Sequence, residues 1–401
     1  MNILLSAGII FTLLAVIYCV YKWGNVTCIG VTPVHLFTFI AILFTSGLDA
    51  GLIMFPLTEF GVYEDIVKNP EYAFSNPMAI EFGYWAFMIW AFYFLTSFYF
   101  CVIEPKVGFF EIPFVKFLNN IVIIGVCAFT AFLLFKNLPW YLPELGQSTT
   151  VLVTFYVIVF AVILASVISS TDVRYLKILS LASTWMFLAL IVGMWLGALI
   201  APQVFVKNIS MIGNYFGNIY KFVFPLNDYH AFYLFWWFAW SIMIGQFTSR
   251  FVGGLKTWQL LAALLVLPSI PIALWIAVLY YYHLNDLATG GLVNIAMVFV
   301  GITFVINSLD SLIRLYTDNL NLTTQRFGKA QYIIGNVAAL CFLTLLFQLD
   351  FLKIEWVGAL AILIYFACFY YIMRYKRQTV AAINSSPEGR VVDFNIINNV
   401  T

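Results

Sequence analysis

The sequence predicts an all-α integral membrane protein of about eleven transmembrane helices. One leading helix precedes two blocks of five that run in opposite senses. Three observations predict this. Of 401 residues, 63% are hydrophobic and only 9% are charged, an apolar excess that a water-facing surface does not carry. Apolar stretches long enough to cross ~30 Å of hydrocarbon recur along the whole chain. The basic residues alternate from loop to loop with a steady bias. The net charge of +1 gives no reason to expect a nucleic-acid partner.

The spans are read at 3–21, 34–56, 82–103, 117–135, 149–169, 179–201, 230–250, 257–281, 292–314, 330–348 and 355–374. The start lacks a basic region and a small-residue cleavage site, so the first apolar run is expected to be a span rather than a signal peptide. Between the blocks, 209–224 is too polar to span and is expected to lie on the surface as an amphipathic helix. The expected organisation is a peripheral helix in 1–33, a first repeat in 34–201, a connector in 202–229, a second repeat in 230–374 and a flexible tail in 375–401. Five crossings per block is an odd number, which inverts one block relative to the other and suggests a site at the midplane between them. Each block opens on a span with interior glycine, Gly47 and Gly51 in the first and Gly245 in the second.

One set of alternating loops, with the tail, carries fourteen of the nineteen lysines and arginines, among them Lys22, Arg174, Arg250 and Arg326; the other carries five. Positive loops stay cytoplasmic, so the expected orientation in the cell membrane puts the N-terminus outside and the C-terminus inside. The connection 57–81 falls outside and holds Glu59, Glu64, Asp65, Glu71 and Glu81. It reads as a solvated acidic loop, with a cation-attracting vestibule as the alternative. Cys19, Cys101, Cys127, Cys341 and Cys368 lie in apolar runs and read as small core residues.

Most spans hold nothing ionisable, which makes two exceptions informative. Asp49 stands inside Thr45-Ser46-Gly47-Leu48-Asp49-Ala50-Gly51, with Pro56 beyond it. Glycine and proline weaken a helix, and freed carbonyls are tolerated where they line a cavity or coordinate an ion. Small-residue packing is the competing account of Gly47 and Gly51. Asp310 lies one helical turn before Arg314, and a structural ion pair is the expected reading.

Aromatic residues form the second anomaly. Tyr84, Trp85, Trp90 and Tyr93 cluster in the third span, and Tyr233, Trp236, Trp237 and Trp240 in the seventh. An interfacial belt explains any one of them, and core packing remains open. Five tryptophans in two interior clusters also suit a cage for a quaternary ammonium ion, each ring face contributing ~0.5–2 kcal/mol. His35, His230 and His283 are far apart and near span ends, so they read as interfacial residues. No hydrolase or phosphate-loop motif appears, which argues against a membrane-embedded enzyme.

On these residues the chain resembles the betaine/carnitine/choline transporter family. Phe232-Tyr233-Leu234-Phe235-Trp236-Trp237-Phe238-Ala239-Trp240-Ser241, running into Gly245, Phe247, Arg250, Gly254 and Thr257, is similar to its tryptophan-rich helix and basic loop. Trp85, Trp90 and Tyr93 fit its H-W-x-x-x-P-W-x-x-Y segment, with Tyr84 and Ile89 replacing the His and Pro. Phe304, Asn307, Ser308, Asp310 and Ser311 fit F-x-x-T-S-x-D-S, and Gly47–Gly51 with Glu59 fits G-M-G-I-G…E-P. The resemblance implies a LeuT-like fold of five plus five helices and a secondary transporter importing choline, glycine betaine or carnitine by alternating access with sodium. It implies a cage of Trp85, Trp90, Tyr93 and Trp237, with Trp236 and Trp240 along the pathway. It also implies a sodium site of the Thr45, Leu48 and Phe304 carbonyls with the Asn307 and Ser308 side chains.

No resident cofactor is expected, and the family's homotrimer is the implied assembly. Osmotic sensing through a long charged C-terminal extension is not expected. Asp49 replaces a family glycine, and its charge would suit choline better than a carboxylate-bearing substrate. A proton-coupled or exchange carrier for another organic cation or zwitterion is the alternative, and a channel or a membrane-embedded enzyme is a more distant one.

Overall fold

The computed structural model describes residues 1–48, 50–142 and 149–383. Asp49 and most of the expected tail, from 384 onward, lie outside the described residues. The elements in chain order are α1 (Asn2–Trp23), β1 (Thr27–Ile29), α2 (Leu36–Ser46), α3 (Ala50–Glu64), α4 (Pro77–Trp85), α5 (Met88–Phe98), α6 (Glu104–Val107), α7 (Pro113–Tyr141), α8 (Thr149–Ser169) and α9 (Val173–Gly197). They continue with α10 (Pro202–Met211), α11 (Gly213–Asn218), α12 (Asp228–Thr248), β2 (Gly253–Lys256), α13 (Thr257–Val266), α14 (Ser269–Leu284), α15 (Leu292–Asn319), α16 (Thr324–Phe327), α17 (Lys329–Gln348), α18 (Ile354–Tyr371) and α19 (Arg377–Ala381). The protein is an all-α membrane protein. Among the described residues, 8 helices are long and apolar enough to cross a bilayer, and the bent pair α2–α3 makes a ninth.

Two further expected spans fall outside that set for different reasons. The apolar helix within α8 is short, Val153–Ser169. In α12, Tyr229, His230, Tyr233, three tryptophans, Ser241 and Gln246 stand where a lipid-facing span would be aliphatic. Nearly all of α12 from His230 to Thr248 is buried. It is the central post of the bundle, so its aromatic faces meet protein rather than lipid.

Close packing around α12 depends on two glycines. A Cβ at Gly245 would lie 2.2 Å from Thr96 Oγ1, and one at Gly358 would lie 2.2 Å from the Phe235 carbonyl. The Thr96 hydroxyl uses the first approach to donate to the Ser241 carbonyl at 2.7 Å. Gly245 therefore admits α5 and leaves α12 continuous, unlike the glycines of the first block.

The chain does break at Gly47. Its N–H bonds the Leu43 carbonyl at 2.8 Å and ends α2, and α3 leaves at 61° to it. Within α3, Pro56 has no N–H to give the carbonyl four residues back. That carbonyl, Leu52 O, is bonded instead by the Trp275 indole of α14 at 2.9 Å. On the basic side, β1 and β2 pair antiparallel, Cys28 opposite Leu255, and tie the loop before α2 to the loop after α12.

Several expectations need correction. The expected loop 57–81 is mostly helix: α3 runs to Glu64 and α4 starts at Pro77. Glu59 and Glu81 are thereby buried, not solvated. The connecting helix starts earlier than expected, at Pro202, where proline suits the first helical turn. His230 is buried and stacked on Tyr84, not interfacial. All six cysteines are free.

Asp310 sits at the start of a capping network. Arg314 Nε donates to Asp310 Oδ1 at 2.7 Å, and its Nη2 donates to the Ser169 and Asp172 carbonyls at 2.6 Å each. Arg314 thus closes the end of α8, where orphan carbonyls need donors. Asp172 in turn caps α9 through the Arg174 N–H, and the Arg174 guanidinium holds its carboxyl down to about 2.

Candidate functional site

The aromatic residues of α4, α5 and α12 meet at one place. Trp85 closes α4 and Trp90 opens α5 around a break at Ala86-Phe87, where Phe87 adopts φ 51°. The break swings the two indoles to the same centre. Trp85 packs edge-on against both Trp236 and Trp237, at 5.7 and 5.4 Å between centroids. Trp236 and Trp237 stack at 5.3 Å, Tyr93 meets Trp237 at 6.2 Å, and Trp90 meets Tyr93 at 5.3 Å. Phe44 of α2 stacks on Trp90 at 6.4 Å and brings the end of the broken helix to the box. Trp85, Trp90, Tyr93 and Trp237 are at most 1% exposed, so the box is closed to solvent.

Hydrogen bonds orient these rings. Trp237 Nε1 donates to the Tyr84 carbonyl at 2.8 Å, and the Tyr93 hydroxyl donates to the Gly47 carbonyl at 3.1 Å. Trp85 Nε1 donates to Glu81 at 2.7 Å. Among the described residues the Trp236 and Trp240 indole N–H groups are buried without a partner. Trp240 is buried one turn beyond the Trp236–Trp237 stack, so the two are placed at different depths of α12.

The oxygen cluster lies where α15 crosses the end of α2. Ser308 Oγ donates to the Leu48 carbonyl at 2.7 Å and lies 3.3 Å from the Thr45 carbonyl. Beside it, Ser46 and Ser311 hydroxyls pair at 2.7 Å. The Phe304 ring packs on Phe44 and Phe187 one turn back along α15. The Asn307 amide turns to α9, donating to Ser183 Oγ at 2.8 Å and accepting from Ser180 Oγ at 3.3 Å. Carbonyl and hydroxyl oxygens without a thiolate or imidazole suit a hard monovalent cation. Asp49, also assigned to the substrate, lies outside the described residues.

A separate groove of about 800 Å³, lined by Leu190, Tyr282 and Val300, opens between α9, α14 and α15. It shares no lining residue with the aromatic box.

Two known proteins resemble the chain over about two thirds of its length. It is 24% identical over 331 residues to a glycine betaine/proline/choline transporter of Vibrio parahaemolyticus, covering 68% of this chain and 58% of that protein. It is 23% identical over 299 residues to the glycine betaine transporter OpuD of Bacillus subtilis, covering 65% of this chain and 58% of the relative. No family model matches the chain. The chain spans 58% of the length of each of these relatives.

Beside what the family resemblance singled out, the structure adds residues that sequence reasoning missed. Ser180 and Ser183 hold Asn307, and Glu59, Glu81 and Tyr229 gather above the box with Tyr233. A signal was present for the second group. Glu59 and Tyr63, Glu81 and Trp85, and Tyr229 and Tyr233 are each spaced i, i+4, which sets side chains over one another on a helix.

Proposed function

We propose that the chain is a secondary transporter, not an enzyme, that carries a quaternary ammonium compound through the membrane. The observation that carries this reading is the convergence of Trp85, Trp90, Tyr93 and Trp237 beside the broken end of α2. Ring faces attract a methylated ammonium without needing hydrogen bonds, and several desolvated faces acting together give useful affinity. One relative is a glycine betaine/proline/choline transporter and the other a glycine betaine transporter, and the trimethylammonium group shared by betaine and choline agrees with that chemistry.

In the same reading, the Thr45, Leu48 and Ser308 oxygens receive sodium as the coupling ion; Phe304 and Asn307 belong to the set expected from the family, and the Asn307 amide is held by Ser180 and Ser183 of α9. The two five-helix blocks of a LeuT-like fold rock about the site, with the N-terminus outside and a homotrimer as the assembly. Asp49 in the broken stretch favours choline over betaine, whose own carboxylate it would repel.

Uptake of labelled choline, betaine and carnitine into proteoliposomes, with and without a sodium gradient, tests this directly. Saturable, sodium-stimulated uptake that collapses in Trp237→Ala is the expected result. Absence of uptake for all three compounds, or a Trp237→Ala variant matching the parent, overturns it. Asp49→Gly is expected to narrow the preference for choline over betaine in the same assay.

A further inference from the structure

Two carboxylates are buried at one end of the aromatic box without a basic partner. Glu59 of α3 is 4% exposed and Glu81 of α4 is 0% exposed, and they are drawn together by Tyr233, which donates to Glu59 and packs edge-on against Trp85, the donor to Glu81. Glu59 accepts from the hydroxyls of Tyr63 at 2.6 Å, Tyr233 at 2.8 Å and Tyr229. Glu81 accepts from Trp85 through Oε1, while its Oε2 is buried and receives no donor among the described residues.

The surrounding groups supply no positive charge. Tyr84 of α4 donates to Tyr72, and Glu71 accepts from Asn227. His230 of α12 accepts the Leu226 N–H at Nδ1, which excludes its doubly protonated form. Glu64, farther along α3, is paired with His283 of α14. Among the described residues no lysine or arginine bridges Glu59 or Glu81.

Two adjacent carboxylates removed from water cannot both remain ionised without a cation. One proton between them would be the donor that Glu81 Oε2 lacks. The pair is also connected in both directions. Tyr229, 40% exposed, links Glu59 to the surface, and Trp85 links Glu81 to the box.

We propose that Glu59 and Glu81 form a proton-binding carboxyl pair that holds one proton between them, and that this proton opposes occupation of the aromatic box by a cation. Losing the proton leaves a second negative charge one indole away from the box, which favours the cation. The proton site stands on the pair alone; its effect on the cation rests on the proposed transport reading.

Both parts are tested on the purified full chain in detergent. Infrared titration of the parent is expected to reveal a protonated-carboxyl C=O band that disappears as pH rises and is lost in both Glu81→Gln and Glu59→Gln. A parent without that band, or a band unchanged in both variants, overturns the proton site. Choline binding, read by tryptophan fluorescence, is expected to strengthen by up to about tenfold per pH unit across the titration in the parent. It is expected to be flat in Glu81→Gln. An equal pH dependence in Glu81→Gln overturns the coupling. No choline binding at any pH, with the infrared band behaving as expected, sinks the transport reading and leaves the proton site standing.

Discussion

The bundle contains two broken helices that touch the same aromatic box, and they solve opposite problems. The α2–α3 break exposes carbonyl oxygens: Thr45, Gly47 and Leu48 present acceptors to Ser308 and Tyr93. At the α4–α5 break the Tyr84 and Trp85 carbonyls are taken by the Trp237 and Trp90 indoles, and the two exposed N–H groups are also bonded within the protein. Phe87 N–H donates to Ser269 Oγ at 3.0 Å and Met88 N–H to the Tyr215 hydroxyl at 3.3 Å. Carbonyls in excess attract cations and donors, so the first break can serve an ion. N–H groups already tied to hydroxyls cannot, so the second break serves geometry by aiming Trp85 and Trp90 at one centre.

The largest expected effect breaks the first helix interruption. Ser308→Ala removes the donor to the buried Leu48 carbonyl, which costs about 1–3 kcal/mol for a group left unsatisfied. Sodium stimulation of uptake is expected to fall by more than about tenfold, the equivalent of ~1.4 kcal/mol. Retained stimulation would show that these oxygens do not hold the coupling ion.

Trp275→Phe comes next. It keeps the ring but strips the Leu52 carbonyl of the donor that replaces Pro56, and it should lower thermal stability by about 1–3 kcal/mol. Ser269→Ala tests the second interruption, where a half-buried N–H at the strained Phe87 loses its acceptor. A similar loss of stability is expected, about 1–2 kcal/mol, with sodium stimulation of uptake unchanged. If Ser269→Ala altered sodium dependence as strongly as Ser308→Ala, the functional distinction between the two breaks would be wrong. Tyr93→Phe is the smallest change. It keeps the box ring, loses the bond to Gly47, and should cost about 0.5–1.5 kcal/mol of stability with choline binding nearly preserved.

The first break was legible because its cause is local: Gly47, Gly51 and Pro56 all disfavour helix within one stretch. Phe87 carries no such mark. An aromatic residue at positive φ contradicts its own preference by about 1–3 kcal/mol, and Ser269, Tyr215 and Phe216, far along the chain, hold it there. The cage tryptophans were visible as clusters, but Trp236 stacked on Trp237 was not, since successive residues on a helix point about 100° apart. Reading 57–81 as solvated loop failed because charge was taken as a sign of exposure. Three tyrosines and one tryptophan make burial of Glu59 and Glu81 tolerable, and two of those tyrosines come from another helix.

Composition and periodicity by themselves determined that the chain is a helical membrane protein and that Asp310 has Arg314 within one turn. These follow from the cost of polar groups in hydrocarbon and from helical spacing, both of which act along the chain. Tertiary structure alone decided which side-chain hydroxyls meet the freed carbonyls of one break and the freed N–H groups of the other. It also decided that Gly245 is a contact rather than a break, and that two glutamates face one another beside the box. Those outcomes depend on pairings between different helices, most of them more than a hundred residues apart, and a local pattern does not encode them.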